Sequence, residues 1–310
     1  MNLQKTFGKI LVPMLTPFRE DQSLDLEKAR QLARYLISSG NADSIILSGT
    51  TGEFFSMTFN ERLSLFQAVK EDCYNEIPLI AGTGCISTIE TINLTQSAEA
   101  MGFQAAMVIA PYFTKPTQKE ILNHFTKVAD SVGIPIILYN IPIFTGVNID
   151  PGTLGKLAKI ENIVAIKDEA ELNPKQITTY LNSTPEDFII YNGDDTMILE
   201  TYAQGGSSRI GGVVSGASHL FGNRIREMIN LFLKGKVDTA AEMQRNLFPV
   251  LRVMGQNSRI NPAALWKEAL LLNDIDAGRP RLPLSGGNEE EIENVNRTLK
   301  ILSSNASVGA

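Results

Sequence analysis

The chain contains 310 residues, of which 43% are hydrophobic and 20% are charged, and its formal net charge at pH 7 is −6. This composition is that of an ordinary globular protein, and the mild acidic excess argues against a surface that binds nucleic acid. No apolar run reaches the roughly 18 residues that a membrane span requires, and the N-terminal residues lack the apolar core of a secretion signal.

Eight apolar runs, taken in chain order, predict β-strands. The runs are continuous and do not alternate with polar residues, which indicates strands buried on both faces of a parallel sheet. Most of them are separated by stretches with helical periodicity, as expected for repeated strand–helix units. The predicted strands are Lys9–Met14, Ser44–Leu47, Pro78–Ala81, Ala105–Ile109, Ile134–Leu138, Ile163–Ile166, Phe188–Tyr191 and Ser208–Val213.

Helix-start signals support this assignment, because Thr58–Glu61, Ser87–Glu90 and Thr117–Glu120 have the spacing of a capping box. Eight strand–helix units favour a (β/α)8 TIM barrel. A doubly wound open sheet is the alternative, although no Gly-x-Gly-x-x-Gly motif follows the first predicted strand. After about residue 220 the pattern changes to helices without strands. We therefore predict a barrel over residues 1–225 and a C-terminal helical region over residues 226–310.

Few residues suit disulfide or metal chemistry. The two cysteines, Cys73 and Cys85, are too few for a disulfide framework, so we expect them to be small apolar residues of a cytoplasmic protein. The two histidines, His124 and His219, do not lie in a His-x-His or His-x-x-x-His pattern. The sequence therefore predicts no metal site.

Lys167 directly follows the predicted strand Ile163–Ile166. In a (β/α)8 barrel the active site lies at the C-terminal ends of the strands, so this lysine is expected at the mouth of the barrel. Burial disfavours the ammonium form and is expected to lower the pKa of Lys167, and a neutral amine forms Schiff bases with ketones. By itself such a lysine is also explained as a phosphate-binding or structural cation.

Polar residues follow other predicted strands and are expected at the same mouth. Thr50 and Thr51 lie in the turn after the second strand and offer hydroxyl and N–H donors to a carboxylate. Tyr139 ends the fifth strand and carries a phenol that can pass protons. Asp194 follows the seventh strand and Val214 ends the eighth. Each position alone is explained as a turn, a packed aromatic or a helix start, whereas together they suit a 2-oxo acid.

The order of these motifs resembles the dihydrodipicolinate synthase / N-acetylneuraminate lyase family over nearly the whole chain. The resemblance implies a (β/α)8 barrel with C-terminal helices that assembles as a homo-oligomer, a dimer or a tetramer. It also implies class I aldolase chemistry without a separate cofactor, in which pyruvate forms a Schiff base with a lysine, becomes an enamine and adds to an aldehyde. The motifs that carry the resemblance are Gly49–Glu53, Pro111–Gln118, Tyr139–Pro142, Ile166–Asp168 and Gly193–Asp195.

The resemblance also implies roles for the matching residues. Lys167 would form the Schiff base, Tyr139 would shuttle protons, and Thr50 would relay protons to Tyr139. Substrate binding would fall to Thr51, Gly49, Gly193, Asp194, Val214 and Phe144. Among these, Thr51 and the backbone beside it would hold the pyruvate carboxylate.

Two phenylalanines depart from the synthases of this family. Phe113 aligns with a tyrosine that continues the proton relay across a dimer interface, and it has no hydroxyl. Phe144 aligns with an arginine that helps to hold the acidic aldehyde, and losing such a charge-assisted contact costs roughly 1.5–3 kcal/mol. The neighbouring Tyr112 is a candidate to replace the lost relay hydroxyl. These departures favour an aldehyde that lacks this carboxylate, or one whose carboxylate is bound elsewhere.

The sequence therefore predicts a Schiff-base-forming pyruvate aldolase or lyase that acts on small molecules, with neither a nucleic-acid nor a membrane partner. A 2-keto-3-deoxy-acid aldolase-like activity is the leading prediction, because Phe113 and Phe144 disfavour the synthase reaction. The alternative is dihydrodipicolinate synthase activity, which condenses pyruvate with aspartate semialdehyde. A hypothesis of another class is a non-catalytic barrel that binds a 2-oxo acid after its proton relay has been lost.

Overall fold

The structure is a computed structural model that describes residues 3–73, 75–170 and 173–308. Its eight strands are β1 Ile10–Pro13, β2 Ser44–Leu47, β3 Leu79–Gly82, β4 Ala105–Ile109, β5 Ile136–Asn140, β6 Ile163–Asp168, β7 Ile189–Asn192 and β8 Ile210–Val214. They form a closed parallel barrel in chain order, with β8 hydrogen-bonded to β1. The predicted (β/α)8 barrel is therefore confirmed, and the open sheet is excluded.

Helices connect the strands and continue beyond them. Their bounds are α1 Leu3–Phe7, α2 Leu26–Ser38, α3 Phe59–Asp72, α4 Thr88–Ala100, α5 Gln118–Ala129, α6 Pro142–Thr145, α7 Pro151–Leu157, α8 Gln176–Ser183, α9 Ile198–Arg209, α10 Ser218–Leu233, α11 Val237–Val253, α12 Ala263–Leu271 and α13 Glu289–Val308. The predicted capping boxes at Thr58 and Thr117 are complete, and Ser87 caps α4 through its side chain. Within the described ranges, none of these helices combines the length and apolar character that crossing a membrane requires.

Side chains of the strands divide between two apolar clusters. Leu11 and Ile46 lie in a cluster inside the barrel, whereas their neighbours Ile10 and Ile45 pack under the surrounding helices. Helix α1 adds the fully buried Phe7 to the inner cluster. Apolar side chains thus fill the lower part of the barrel, and the chemistry-bearing residues gather at its C-terminal end.

A β-bulge in β6 sets the direction of Lys167. Ile163 and Ala165 pair with consecutive residues of β5, so Val164 is an extra residue in the ladder. Ile163 lies in the outer cluster and Ala165 in the inner one, although residues two apart in a regular strand face the same side. The new phase continues along the strand, and Lys167 therefore points into the barrel mouth.

The C-terminal helices pack along one side of the barrel. Helix α10 contacts β1 and α11, and α13 packs on both α11 and α12. Residues that follow α11, among them Met254 and Arg259, reach the mouth of the barrel. Residue 225 lies within α10, so the proposed division between barrel and helical region falls inside one helix and stays a prediction.

Candidate active site

A cavity of about 430 Å³ opens at the C-terminal mouth of the barrel. Eight of the nine residues predicted to act in catalysis or binding line it, and they are Thr50, Thr51, Tyr139, Phe144, Lys167, Gly193, Asp194 and Val214. The ninth, Gly49, lines a much smaller space behind the cavity, together with Arg62 and Phe54. The mouth therefore brings together residues that are separated by up to 164 positions, from Thr50 to Val214 (214 − 50 = 164).

Lys167 and Tyr139 form the centre of this cavity. The ammonium nitrogen Nζ of Lys167 lies 4.0 Å from the centroid of the Tyr139 ring. The two residues are paired across neighbouring strands β6 and β5, which fixes their separation. Both side chains are buried, so a ligand carbonyl at Nζ would also lie beside the phenol.

A residue that the sequence interpretation missed, Glu169, contacts both groups. Its Oε2 lies 2.9 Å from Nζ of Lys167 and accepts a hydrogen bond of 3.2 Å from the hydroxyl of Tyr139. Strand alternation was the available signal, because Glu169 directly follows β6 and the alternation of the strand continues to it, so residues 167 and 169 face the same side. Asp168 faces the opposite side, where Asn140 and Gln176 donate hydrogen bonds to it.

The expectation that burial leaves Lys167 neutral is wrong. Burial does oppose the ammonium form, but the carboxylate of Glu169 and the neighbouring Tyr139 outweigh it and raise the pKa of Lys167 above its ordinary value. The lysine therefore rests as an ammonium ion in an ion pair. It must lose a proton to a neighbour before it can attack a carbonyl carbon.

Thr50 and Tyr139 meet as the resemblance implied. The Thr50 hydroxyl donates a hydrogen bond of 3.4 Å to the Tyr139 hydroxyl, at the long end of the usual range. Burial, followed by the Glu169 carboxylate, raises the pKa of Tyr139, so its hydroxyl holds its proton at neutral pH. Thr50, Tyr139 and Glu169 thus form a chain of hydrogen bonds that ends beside Lys167.

The turn that carries Thr50 and Thr51 is held in place by contacts of Glu53 with the C-terminal region. Glu53, in the left-handed region with a φ of 56°, is fully buried, and its Oε1 lies 2.6 Å from Nζ of Lys267. Its other oxygen accepts a hydrogen bond from the backbone N–H of Arg281. These contacts stabilise the turn, and both partners come from the C-terminal region.

Charged side chains of both signs line the rest of the cavity. Asp194 lines the cavity, and its Oδ1 accepts hydrogen bonds from the N–H and hydroxyl of Thr196. Arg252 and Arg259 also line the cavity, and a carboxylate oxygen of Glu291 lies 2.8 Å from the guanidinium of Arg259. No local sequence signal pointed to the two arginines, because only the packing of α11 and the loop that follows it brings them to the mouth.

The phenylalanines that depart from the synthase pattern take different positions. Phe144 lines the cavity, as predicted. Phe113 is 86% exposed on the loop between β4 and α5, with a positive φ of 68°. Tyr112 packs edge-on against Phe54 and does not line the cavity, so it is no substitute for the relay hydroxyl within this chain.

Among the residues that the structure describes, no group of three or more histidine, cysteine, aspartate or glutamate side chains could hold a metal ion. Both histidines lie away from the mouth cavity and are buried.

The barrel and the buried lysine–tyrosine pair at its mouth define a Schiff-base aldolase of the (β/α)8 class. Residues 6–302 match the model of the dihydrodipicolinate synthetase family, and the chain belongs to that family.

Individual relatives cover almost the whole chain. A 4-hydroxy-tetrahydrodipicolinate synthase of Desulforudis audaxviator (strain MP104C) is 42% identical over 294 residues, or 95% of this chain and 97% of the relative. A synthase of the same name from Moorella thermoacetica is 41% identical, with coverages of 95% and 98%. Among solved structures, a dihydrodipicolinate synthase of Bacillus anthracis is 36% identical with a TM-score of 0.88, and the match covers 96% of this chain and 98% of that structure.

Family membership confirms the predicted resemblance and the enzyme class. Enzymes of this family are lyases of the class I aldolase type that hold pyruvate as a Schiff base on a lysine, use no external cofactor, bind an aldehyde and form homo-oligomers. The non-catalytic barrel hypothesis therefore gives way to an enzyme. The relatives also favour the synthase alternative over the leading prediction of a 2-keto-3-deoxy-acid aldolase-like activity. The roles of the individual site residues stay predictions.

Proposed function

We propose that this enzyme condenses pyruvate with aspartate 4-semialdehyde, the reaction of a 4-hydroxy-tetrahydrodipicolinate synthase. The observation that carries the proposal is the close similarity to synthases of that name along nearly the full chain. The proposed setting is the cytoplasm, which the two buried cysteines, both free thiols, support.

The residues at the mouth can be assigned to the steps of this reaction. Lys167 would attack the C2 carbonyl of pyruvate, while the N–H groups and hydroxyls of Thr50 and Thr51 hold the pyruvate carboxylate. Tyr139 would pass protons at the carbonyl oxygen and at the new carbon–carbon bond. Backbone atoms of Gly193 and Val214 would then border the bound pyruvate.

The aldehyde carboxylate needs a cationic partner, and Phe144 cannot supply one. Arg252 is the better of the two arginines at the mouth, because it is exposed there, whereas Glu291 already neutralises Arg259. We infer that Arg252 holds the semialdehyde carboxylate. The central carbon of its guanidinium lies 6.0 Å from the centroid of the Phe248 ring. Within the described part of the chain no group accepts a hydrogen bond from this guanidinium, so its N–H donors are available to a ligand.

An aldehyde panel tests the proposed reaction. The purified enzyme is given pyruvate with aspartate 4-semialdehyde, glyceraldehyde or glyoxylate, and each condensation product is measured by mass spectrometry. We expect the highest kcat/KM with aspartate 4-semialdehyde and no product from a Lys167→Ala variant. A higher kcat/KM with another aldehyde would contradict the proposed substrate, and equal rates for both proteins would contradict the Schiff-base chemistry.

Replacing Arg252 tests the proposed aldehyde subsite. We expect Arg252→Ala to raise the KM for aspartate 4-semialdehyde by about ten- to a hundredfold, the loss of one charge-assisted contact. The rate at which borohydride traps pyruvate on Lys167 should stay unchanged. Arg245→Ala is the matched control, because Arg245 is an exposed arginine of the same helix that does not line the cavity. Equal KM values for the two variants would remove Arg252 from the site.

A 2-keto-3-deoxy-acid aldolase-like activity is the second candidate. Phe144 makes part of the mouth apolar, and Asp194 offers a carboxylate oxygen to the hydroxyl groups of a sugar acid. Cleavage of 2-keto-3-deoxygluconate is the deciding assay. Faster cleavage of this compound than synthesis from aspartate 4-semialdehyde would make this candidate the function of the enzyme.

A further inference from the structure

The contacts of Glu169 differ from those of Glu53 and Glu291, two buried carboxylates that join distant segments of the chain. Its Oε2 contacts both Nζ of Lys167 and the hydroxyl of Tyr139. Within the described residues, its Oε1 has no hydrogen-bond partner. In Glu53 and Glu291, by contrast, both carboxylate oxygens are bound by the protein. Glu53 and Glu291 thus have both oxygens occupied, whereas Glu169 has one oxygen available to a ligand and places the other between an amine and a phenol.

The surroundings of Glu169 also point to a ligand. Its side chain lines the mouth cavity and an adjoining cavity of about 240 Å³, which Asn148 and Gln176 also line. Its side chain is 20% exposed, so solvent and substrate can reach it. A charge placed at a cavity wall beside a nucleophile is typical of a group that takes part in proton transfer.

We propose that Glu169 is a catalytic residue, whose carboxylate takes the proton from the Lys167 ammonium and returns it to the water released when the Schiff base forms. The geometry that carries the proposal is the shared contact of one carboxylate oxygen with both the amine and the phenol. The proposal rests on the Schiff-base step of the proposed function and does not depend on which aldehyde follows.

The step balances in protons and electrons. A proton passes from Nζ to Glu169, and the neutral amine forms a C–N bond to C2 of pyruvate while the carbonyl electron pair moves to oxygen. Glu169 protonates this oxygen through the hydroxyl of Tyr139 and takes one proton from the nitrogen, which leaves a neutral carbinolamine. It then protonates the hydroxyl, which departs as water as the nitrogen lone pair forms C=N. An iminium cation and the Glu169 carboxylate remain.

The charges around the pair suit this cycle. Nitrogen is cationic both in the resting ammonium and in the iminium, so the carboxylate stabilises the first and the last state. Burial raises the pKa of Glu169 and Lys167 opposes this shift, while Asp194 beyond β7 raises it further. A carboxyl with a raised pKa is a better proton acceptor at neutral pH. The titratable groups that face Glu169 are Lys167 near the end of β6, Tyr139 on β5, and Asp194 beyond β7.

The test is the rate of Schiff-base formation, measured by mixing enzyme with pyruvate and quenching with borohydride at successive times. Intact mass then gives the fraction of reduced adduct on Lys167. We expect Glu169→Gln, which keeps the shape of the side chain, to slow adduct formation about a hundredfold. Glu161→Gln is the matched control, because Glu161 is an exposed carboxylate just before the same strand, at the opposite end from the mouth, and its rate should equal that of the wild type.

Chemical rescue separates a catalytic role from a packing role. We expect Glu169→Ala to be slowed at least as much, and 0.5 M formate to restore its rate at least tenfold, whereas chloride at the same ionic strength restores nothing. Circular dichroism checks that both variants fold.

Two results would overturn the proposal. A Glu169→Gln rate equal to or above that of the wild type would mean that Glu169 only keeps Lys167 protonated. An equal slowing of both variants that formate does not restore would mean that Glu169 acts through packing. Failure of the wild type itself to form an adduct is a different outcome, because it would contradict the proposed function before Glu169 is considered.

Discussion

A glycine next to Lys167, Gly193, determines how closely the segment after β7 approaches the end of β6. A Cβ atom built on Gly193 would lie 2.6 Å from Cε of Lys167 and 2.9 Å from Cβ of Glu169. Both distances are shorter than a van der Waals contact, so any larger residue would push the lysine or the carboxylate aside. Gly193 therefore leaves the space that the side chains of Lys167 and Glu169 occupy. This role is distinct from its predicted backbone contact with the substrate.

Substitution of this glycine should damage chemistry more than folding. We expect Gly193→Ala to slow the borohydride trapping of pyruvate on Lys167 by ten- to about a hundredfold, because displacement of a reacting group by even ~1 Å is costly. Gly152→Ala is the control, since Gly152 in α7 has no atom within 4 Å of an added Cβ. Equal trapping rates in the two variants would mean that the mouth absorbs the extra methyl group.

At the scale of elements, the C-terminal region holds the turn that follows β2. Lys267 of α12 donates hydrogen bonds to the carboxylate of Glu53, to the backbone carbonyl of Thr16 and to that of Arg279. Arg281 adds a backbone N–H to Glu53 and binds Glu61 at the start of α3. The threonine turn is therefore positioned by residues more than 200 positions away in the chain.

Removing one partner of the buried Glu53–Lys267 pair should be strongly destabilising. We expect Lys267→Met to lower the free energy of unfolding in urea by about 3–5 kcal/mol, because it leaves a carboxylate buried without a cation. Adding Glu53→Gln to that variant should recover part of the loss. The control is Lys28→Met, which breaks the partly exposed pair with Asp276 and should cost about 0–1 kcal/mol. A similar decrease in the free energy of unfolding for both lysine variants would show that the buried Glu53–Lys267 pair does not stabilise the fold more than an exposed pair does.

For the molecule as a whole, His219 connects the segments that follow β1 and β8, the two strands whose pairing closes the barrel. Its Nε2 accepts a hydrogen bond of 3.1 Å from the N–H of Leu15, beyond β1, and its Nδ1 lies 2.8 Å from the carbonyl oxygen of Gly216, beyond β8. Because Nε2 accepts, Nδ1 carries the proton and the ring is neutral. Full burial lowers the pKa of His219 to about 4.

This histidine should make the barrel less stable in acid. Between pH 6.5 and pH 4 the unfolded chain protonates His219 and the folded chain does not, so its contribution to stability falls as the pH falls. We expect the stability advantage of the wild type over His219→Gln in urea unfolding to shrink by about 2 kcal/mol between pH 7.5 and pH 5. The comparison cancels the opposite effect of Asp168 and Asp195, whose pKa values burial raises to about 6. A stability difference between the wild type and His219→Gln that does not change with pH would contradict a neutral His219 in the folded protein.

Much of the fold and part of the site could be predicted from the sequence alone. Continuous apolar runs and capping boxes are local signals, and they predict the strands and helices. Because all strands of a parallel barrel end at one mouth, the sequence also predicts that Lys167, Tyr139, Thr50 and Asp194 lie together there, and all four line one cavity. The predicted strand ends were less accurate. The first two residues of the run Ser208–Val213 belong to α9, because the apolar pattern begins only at Ile210.

Local periodicity and short ordered motifs were enough to predict the barrel, its family and the lysine that we propose forms the Schiff base. Three further features depend on the tertiary fold. A bulge at Val164 turned Lys167 inward, the shared contact with Glu169 kept its amine protonated, and packing of the C-terminal region brought Arg252 to the mouth. Each of these depends on contacts between distant or differently phased segments, where electrostatics and packing outweigh the preferences of the local sequence.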